Sequence, residues 1–385
     1  MSHLLTPMSE PAAKPSISLP EALESVKEAL DAKLAPAATV AVALSGGVDS
    51  AMAAFLLKKL GFRPVALHMN LVSSEPGVAF EQLQGLSRKL DIPLHLVDLR
   101  RPFQHFVVEP FLEAYRRGMT PNPCVLCNPI IKFSFLLRQA EELGAERLVT
   151  GHYVRLTRDP GSNRILLRRG RDRRKDQSYF LYGLSQDQLA KALFPMGYLC
   201  KHQVKALALE AGLADLHRPE SQEICFIPKN DYRGFLKERV GAALPTGGPI
   251  VDLGGRIVGE HRGIHQFTIG QRRGLNISSS APYYVVALEP DTCTVRVGRK
   301  KDLLRRAMRV SSVNWVSIPP PASSRKAQVQ IRYRHRQAEA SIEPRPQGVL
   351  VHFLEPQAAI TPGQSAVFYQ DDLLLGGGII EQVFS

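Results

Sequence analysis

Residues Ala38 to Phe62, ATVAVALSGGVDSAMAAFLLKKLGF, constrain this chain more than any other stretch. Val40 to Leu44 is apolar and β-branched, with the length of a fully buried strand. It breaks at Ser45-Gly46-Gly47-Val48-Asp49-Ser50, then resumes with Met52, Phe55, Leu56 and Leu60 at helical spacing. A strand that turns on glycines into a helix aims the free N–H groups of the first turn, and the positive helix end, at one spot. That spot suits a phosphate. Two glycines let the backbone approach a ligand and take positive φ, while Ser45 and Ser50 add hydroxyl donors. The loop contains no lysine, so it is not a Walker A P-loop, whose lysine reaches the terminal phosphates. An ordinary β–α turn is the plain alternative for a lone Gly-Gly.

From Ala38 to about Thr150, strands alternate with helices. VAVAL, RPVALHM, LHLVDL and ERLVTGHY are the strand candidates, with helical stretches such as Phe80–Leu90 and Ile130–Leu143 between them. This order predicts an α/β, doubly wound parallel sheet with helices on both faces. Ligands bind such sheets at the carboxyl ends of the strands, where Ser45, Met69 and Gly151 all fall. Around Ser221 the texture changes. Leu244–Leu275 is rich in turns, and AQVQIRYR (Ala327–Arg334), GVLVHFLE and TPGQSAVFYQDDLLLGGGII read as short, closely spaced strands of small β-barrels. The expected division is an appended tail over 1–36, a catalytic domain over 37–230, and two small β-rich domains over 231–299 and 300–385.

At 385 residues, two or three domains are expected. The net charge of +13 is the unusual part of the composition. Such an excess suits a polyanion, nucleic acid foremost, although a basic surface kept for solubility would give the same number. Apolar runs are strand-sized, which argues against membrane attachment. No basic stretch followed by an apolar core marks a secretory signal. Cys124, Cys127, Cys200, Cys225 and Cys293 are too few for a disulfide scaffold and read as thiols of a reducing cytoplasm.

Thr120-Pro121-Asn122-Pro123-Cys124-Val125-Leu126-Cys127-Asn128 is the second informative segment. Its prolines stiffen the backbone and disfavour helix before the cysteines. A helix is expected from about Asn128, with Lys132 beside it. A thiol at a helix N-terminus near a basic residue has a lowered pKa, so Cys127 is expected to be partly thiolate. Cys225 lies in SQEICFIP, a strand-like apolar sequence. Taken singly, a buried cysteine is usually an inert small hydrophobe, and CxxC is ambiguous between metal, redox chemistry and chance. Cys200 and Cys293 belong to no motif.

The nucleotide loop resembles the PP-loop of ATP pyrophosphatases, which cleave ATP to AMP and pyrophosphate. SGGVDS, TPNPCVLCN, TGHY, KDQSYFL, SQEICFIP, IGQRRGL, IRYRH and TPGQSAVFY, in that order, resemble the tRNA-specific 2-thiouridylase family from about residue 38 to the C-terminus. The resemblance implies adenylation of the C2 oxygen of the wobble uridine in tRNA, with ATP and magnesium, then its replacement by sulfur from a cysteine persulfide. It implies that Ala43, Leu44, Ser45, Gly46, Gly47, Val48, Asp49 and Ser50 hold ATP, with Met69 and Gly151 on the adenine and ribose side. It makes Cys127 the nucleophile and Cys225 the persulfide carrier. Asn122, Pro123 and Cys124 fall where the family meets the target base. His152, Lys175, Asp176, Gln177, Arg332, Tyr333 and Gln364 match its tRNA-contacting positions. A protein sulfur donor, by persulfide relay or as a cysteine desulfurase, is the implied second partner.

The residues agree with that chemistry. Two cysteines from distant segments suffice for a persulfide and a resolving thiol. Five arginines between Arg168 and Arg174 precede Lys175 and suit phosphates, although a solvated loop is the plain reading of such a run. Arg332 and Tyr333 offer phosphate contact and base stacking to unpaired RNA. One position departs from the pattern: many family members carry Asp where this chain has Cys124, so an acid/base role there loses its carboxylate. Cys124, Cys127 and Cys225 instead match an arrangement that related tRNA-thiolating enzymes use to hold a 4Fe–4S cluster, and cluster and cluster-free persulfide chemistry both fit the residues. A small-molecule PP-loop synthetase would share SGGVDS without needing paired cysteines. A non-catalytic RNA-binding protein would need neither.

Overall fold

In the computed structural model, residues 17–30, 34–35, 37–72, 78–213, 224–241, 244 and 247–384 are described. Five parallel strands form the first sheet: β1 (Thr39–Ala43), β2 (Arg63–Asn70), β3 (Leu94–Asp98), β4 (Arg147–Val149) and the two-residue β7 (Ala192–Leu193), in the order β3-β2-β1-β4-β7. The chain leaves β1 to one side through β2 and β3, then returns to its other side with β4. The carboxyl ends of β1 and β4 therefore flank the point where strand order reverses, which is where such sheets take ligands. Alternation along β1 explains the two layers. Val40 and Val42 enter one core with α1 (Leu19–Lys27), α2 (Val48–Lys59) and residues of the helix Lys201–Glu210. Ala41 faces the other core, with Phe103, Phe111, Ile131 and Leu136. The doubly wound reading holds.

Residues before the first strand are more than an appendage where described. Ser18 caps α1 with a capping box, and Ala22 and Val26 of that helix are fully buried against the α2 side of the sheet.

The β-rich remainder forms two sheets. β8 (Gly248–Val251), β9 (Ile257–His261), β10 (Tyr284–Glu289) and β11 (Thr294–Gly298) order as β10-β11-β8-β9 over a small core of Ile250, Ile264, Val285 and Val297. β12 (Leu304–Trp315), β13 (Arg325–Gln330), β14 (Ala338–Arg345), β15 (Gly348–Ala358), β16 (Ser365–Gln370) and β17 (Leu373–Phe384) form an antiparallel barrel, closed by β12 pairing with both β15 and β17. The strand expected over Ala327–Arg334 stops at Gln330. Beyond it the chain turns, with Arg334 at φ +63.

The hairpin β5 (Val154–Arg158) and β6 (Ile165–Arg169) grows out of the first domain yet pairs with β17 of the barrel. Asp372 clamps this junction, accepting from Arg155 at 2.8 Å and Arg168 at 2.7 Å. The Tyr179 hydroxyl donates to the Ser365 carbonyl at 2.9 Å. Val316, Val367 and Tyr369 of the C-terminal domain share a core with the helices of the first.

Candidate active site

The nucleotide loop folds as its sequence dictates. Gly46 sits at φ +82, where a side chain would be strained, and Gly47 is the N-cap of α2 without any side-chain cap bond. The Ser50 hydroxyl donates to the Gly47 carbonyl at 3.0 Å and accepts from the Ser45 N–H at 3.2 Å, which ties the turn to the first helical turn. Gly151, just past β4, packs on this turn: a Cβ there would lie 3.0 Å from the Asp49 Cβ and 3.1 Å from the Ser50 nitrogen. A side chain there would force the loop to give by a few tenths of an ångström. Ala43, Leu44 and Met69 lie at the same sheet edge, where the Leu44 N–H donates to the Leu67 carbonyl at 2.8 Å.

Asp49 has partners that no sequence motif signals. Both its oxygens lie 2.6 Å from the Lys201 ammonium, and Oδ1 accepts from the Tyr153 hydroxyl at 2.6 Å. The Lys201 side chain is only 9% exposed and that of Asp49 23%. Lys201 comes from the first turn of the helix Lys201–Glu210, 152 residues away, and GYLCKHQ carries no motif that would reveal it.

The cysteine loop is anchored from two other domains. Gln364 donates to the Thr120 carbonyl at 2.7 Å, and the Thr120 and Thr268 hydroxyls lie 3.1 Å apart. Asn122 accepts from the Cys124 N–H at 3.2 Å, a local turn that starts the helix Cys124–Leu126 after Pro123. From Cys127 to Leu136 the helix is π-wound, a rare geometry frequent at functional sites. Within it, the Lys132 ammonium lies 3.5 Å from His152 Nε2, while His152 Nδ1 pairs with the Thr150 hydroxyl at 2.7 Å. Burial, with Lys132 adding to it, holds His152 neutral, well below the usual histidine range.

The thiols do not titrate as expected. Burial pushes Cys127 up to about 12, and Cys225 and Cys124 add to the rise while Lys132 opposes it. The expectation of a lowered pKa fails because desolvation outweighs a single cation. Cys124 is raised for the same reasons. Cys225 is exposed, and desolvation by nearby protein still raises its pKa, again against Lys132. All three thiols thus feel one another or the same lysine. Cys225 lies in a turn rather than a strand: the Ile227 N–H donates to the Ile224 carbonyl at 3.1 Å, and Phe226 packs among Phe103, Phe111 and Phe235. Ser221 to Glu223 of that motif lie outside the described residues. Among the described residues, no group of three or more His, Cys, Asp or Glu side chains is arranged to hold a metal.

The RNA candidates divide. Lys175, Arg173, Arg174 and Arg332 lie at least partly at the surface, where a polyanion can meet them. Asp176, expected to touch tRNA, is buried. It accepts from Arg169 at 3.0 Å, the Ser178 hydroxyl at 2.9 Å and the Gly170 N–H at 3.2 Å, and burial raises its pKa despite Arg169. Gln177 holds the Tyr153 N–H at 3.0 Å, and Gln364 is engaged on Thr120. Gln177 and Gln364 are half-buried, and His152 is buried. Tyr333 packs 4.4 Å from the Phe180 ring, centroid to centroid. Of the five arginines, Arg168 and Arg169 are engaged in ion pairs inside the fold.

The sequence matches three family models: the tRNA methyl transferase HUP domain over residues 38–229, the tRNA methyl transferase PRC-barrel domain over 233–299, and the aminomethyltransferase beta-barrel domain over 305–380. It is 45% identical to tRNA-specific 2-thiouridylase MnmA 2 of Thermoanaerobacter sp. (strain X514), over 89% of this chain and 98% of that protein. The chain belongs to the tRNA-specific 2-thiouridylase family. Membership extends to relatives such as MnmA of Trichlorobacter lovleyi, 44% identical over 89% of this chain and 97% of that one. MnmA of Koribacter versatilis is 42% identical, with coverages of 89% and 98%. Among solved structures, U34-tRNA thiolase NcsA from Methanococcus maripaludis with its 4Fe–4S cluster aligns at TM-score 0.37 and 18% identity. That match covers 61% of this chain and 80% of that one, a likeness too loose to bear on chemistry. Among the described residues, no helix is long and apolar enough to cross a membrane.

Proposed function

We propose that this member of the 2-thiouridylase family replaces the C2 oxygen of the wobble uridine of tRNA by sulfur, using ATP. The single observation that carries the reading is the joining of the nucleotide loop to the cysteines through one sheet edge. His152, one residue past Gly151 at that loop, reaches Lys132 among the thiols.

ATP fits the loop, whose amides converge beside a glycine at positive φ, and Asp49 offers the carboxylate that magnesium would need. When bound, magnesium would neutralise phosphate charge. In the first step the uridine O2 attacks the α-phosphorus, and the bond to the bridging oxygen breaks. Pyrophosphate leaves with the electron pair, and the uracil N3 proton passes to water. In the second, the terminal sulfur of a Cys225 persulfide adds to C2, and AMP leaves with the C–O electron pair. The Cys127 thiol gives up its proton as its sulfur attacks Cys225 Sγ, the S–S bond breaks toward the transferred sulfur, N3 takes up a proton, and a thiocarbonyl and a Cys127–Cys225 disulfide result. A small thiol or dithiol reductant must reopen that disulfide, and a protein persulfide donor must reload Cys225. Solvent contact suits Cys225 to reloading, and burial suits Cys127 to waiting protonated.

Lys175, Arg173, Arg174 and Arg332 are the cations we assign to tRNA phosphates, in a cytoplasmic enzyme whose functional divisions fall near residues 230 and 299, the helix Leu19–Lys27 belonging to the core of the first. Separate cores beneath the two β-rich parts support those divisions. Cys124, Cys127 and Cys225 do not form a ready ligand set for an iron–sulfur cluster. Release of AMP and pyrophosphate, measured with and without unmodified tRNA, tests the reading: both products should depend on tRNA. A Cys124→Asp variant that thiolates fully without iron supports the persulfide route. Loss of activity together with bound iron would overturn that route in favour of the cluster.

A further inference from the structure

One cation stands among the three thiols, and the winding of its helix helps put it there. In an α-helix, residues five apart point about 140° away from each other. A π-turn closes on the fifth residue instead, so Cys127 and Lys132 share a face of the stretch Cys127–Leu136. The Leu137 N–H donates to the Lys132 carbonyl, which carries the same winding on past the lysine. From the sheet edge, His152 Nε2 meets the Lys132 ammonium at 3.5 Å. Thr150, 2.7 Å from Nδ1, and Phe194, edge-on at 6.1 Å between ring centroids, fix the imidazole. A neutral His152 that donates from Nδ1 to Thr150 leaves Nε2 to accept from an ammonium. Lys132 is half-buried, and its charge opposes the effect of burial at Cys124, Cys127 and Cys225 alike.

We propose that Lys132 holds the anionic terminal sulfur of the Cys225 persulfide against C2 of the uridine, with His152 as the positioning residue that aims the ammonium. The inference rests on the sulfur-transfer reading above and names the cation for it. Before transfer the terminal sulfur carries one negative charge, which the ammonium pairs. As that sulfur adds to C2, the charge passes into the uracil ring, and it leaves with AMP when the C–O bond breaks. Attack of the Cys127 sulfur on Cys225 Sγ then returns negative charge to the transferred sulfur until N3 is protonated, and the same ammonium offsets it. Lys132 keeps its proton throughout. Its contribution is electrostatic, a charge set in place before the reaction begins. His152 follows Gly151, which packs on the nucleotide loop, so the ammonium is aimed from the edge that would carry the adenylate.

The test compares two alkylating reagents on Cys225 of the full chain at one pH, anionic iodoacetate and neutral iodoacetamide, followed by mass spectrometry. Both react with the same thiolate, so the ratio of their rates reports local charge and not the extent of ionisation. Lys132→Met should lower the iodoacetate-to-iodoacetamide ratio by about 3- to 10-fold, and Lys132→Arg should hold it near the parent value. His152→Phe, which keeps a buried ring but offers no acceptor, should lower it by less than Lys132→Met does. In a single turnover with ATP, magnesium, unmodified tRNA and inorganic polysulfide as the source of persulfide, Lys132→Met should slow 2-thiouridine formation by about 10- to 100-fold, the loss of a charged hydrogen bond. Pyrophosphate release should fall by less than about threefold. A ratio that Lys132→Met leaves unchanged, or equal losses of pyrophosphate release and thiolation, overturns the proposal. Failure of the sulfur-transfer reading shows separately, as parent enzyme that forms no 2-thiouridine under the same conditions.

Discussion

The nucleotide loop and the cysteine loop meet at one sheet edge but differ in how much of their chemistry is already assembled. Around Ser45–Ser50 the turn is closed by Ser50, covered by Gly151 and charged by Asp49 and Lys201, all within hydrogen-bonding distance or van der Waals contact. Around the cysteines the thiols are free, Cys127 is buried and protonated, and Cys225 sits in an exposed turn. The first site is built to bind at once. The second needs a proton removed and a sulfur brought in, so it depends on what arrives. Preorganised charge suits a step whose transition state develops charge, whereas sulfur transfer needs two sulfurs to approach along one line.

The largest expected effect comes from breaking the assembled side. Asp49→Ala removes a partner of a nearly buried lysine as well as the proposed metal carboxylate. It should abolish pyrophosphate release and also cost about 2–3 kcal/mol of stability, less than a fully buried pair because Asp49 keeps some solvent contact. Activity assays and urea unfolding check both parts. An inactive variant of unchanged stability would mean that Lys201 finds other partners.

The next effect sharpens the contrast on the sulfur side. With its pKa raised to about 12, the Cys127 thiol stays protonated at neutral pH, and its thiolate fraction grows about tenfold per pH unit up to that value. Alkylation of Cys127 by iodoacetamide, followed by mass spectrometry, should therefore climb with unit slope from about pH 7 to 10 and stay slower than alkylation of exposed Cys225. A plateau below pH 9 would place Cys127 in a more polar setting than the structure gives it. The sign carries into stability: a thiol kept neutral by burial supports the fold at neutral pH and loses that support as pH rises toward 12.

Smaller is the effect of the clamp that holds the barrel against the first domain. Asp372→Ala strands Arg155 and Arg168 and should lower stability by about 1–2 kcal/mol in urea unfolding, with pyrophosphate release intact. Smallest is Lys175→Ala. If that side chain meets one phosphate, the slope of log affinity for tRNA against log salt should flatten by about one unit, and an unchanged slope removes Lys175 from the interface.

Much of the assembled site could be read in the sequence because its signals are local. A strand, a glycine turn and a helix are neighbours in the chain, so VAVAL and SGGVDS announce both the fold and the pocket. Lys201 could not be read: its role exists only because a distant helix starts beside Asp49. The arginine run misled in part, since composition cannot tell Arg168 and Arg169, paired inside the fold, from Arg173 and Arg174 at the surface. The π-wound stretch from Cys127 escaped because its residues per turn differ from the helical period that sequence patterns reveal. ICFI read as a strand because its residues are apolar, yet Phe226 is buried by an aromatic cluster that a turn supplies.

The separation of the two halves is tested most directly with the double variant Cys127→Ser, Cys225→Ser. Given one equivalent of unmodified tRNA and ATP with magnesium in a single turnover, it should release pyrophosphate while forming no 2-thiouridine. A double variant that releases no pyrophosphate would contradict the account, because the nucleotide site would then depend on the thiols it is held to work without.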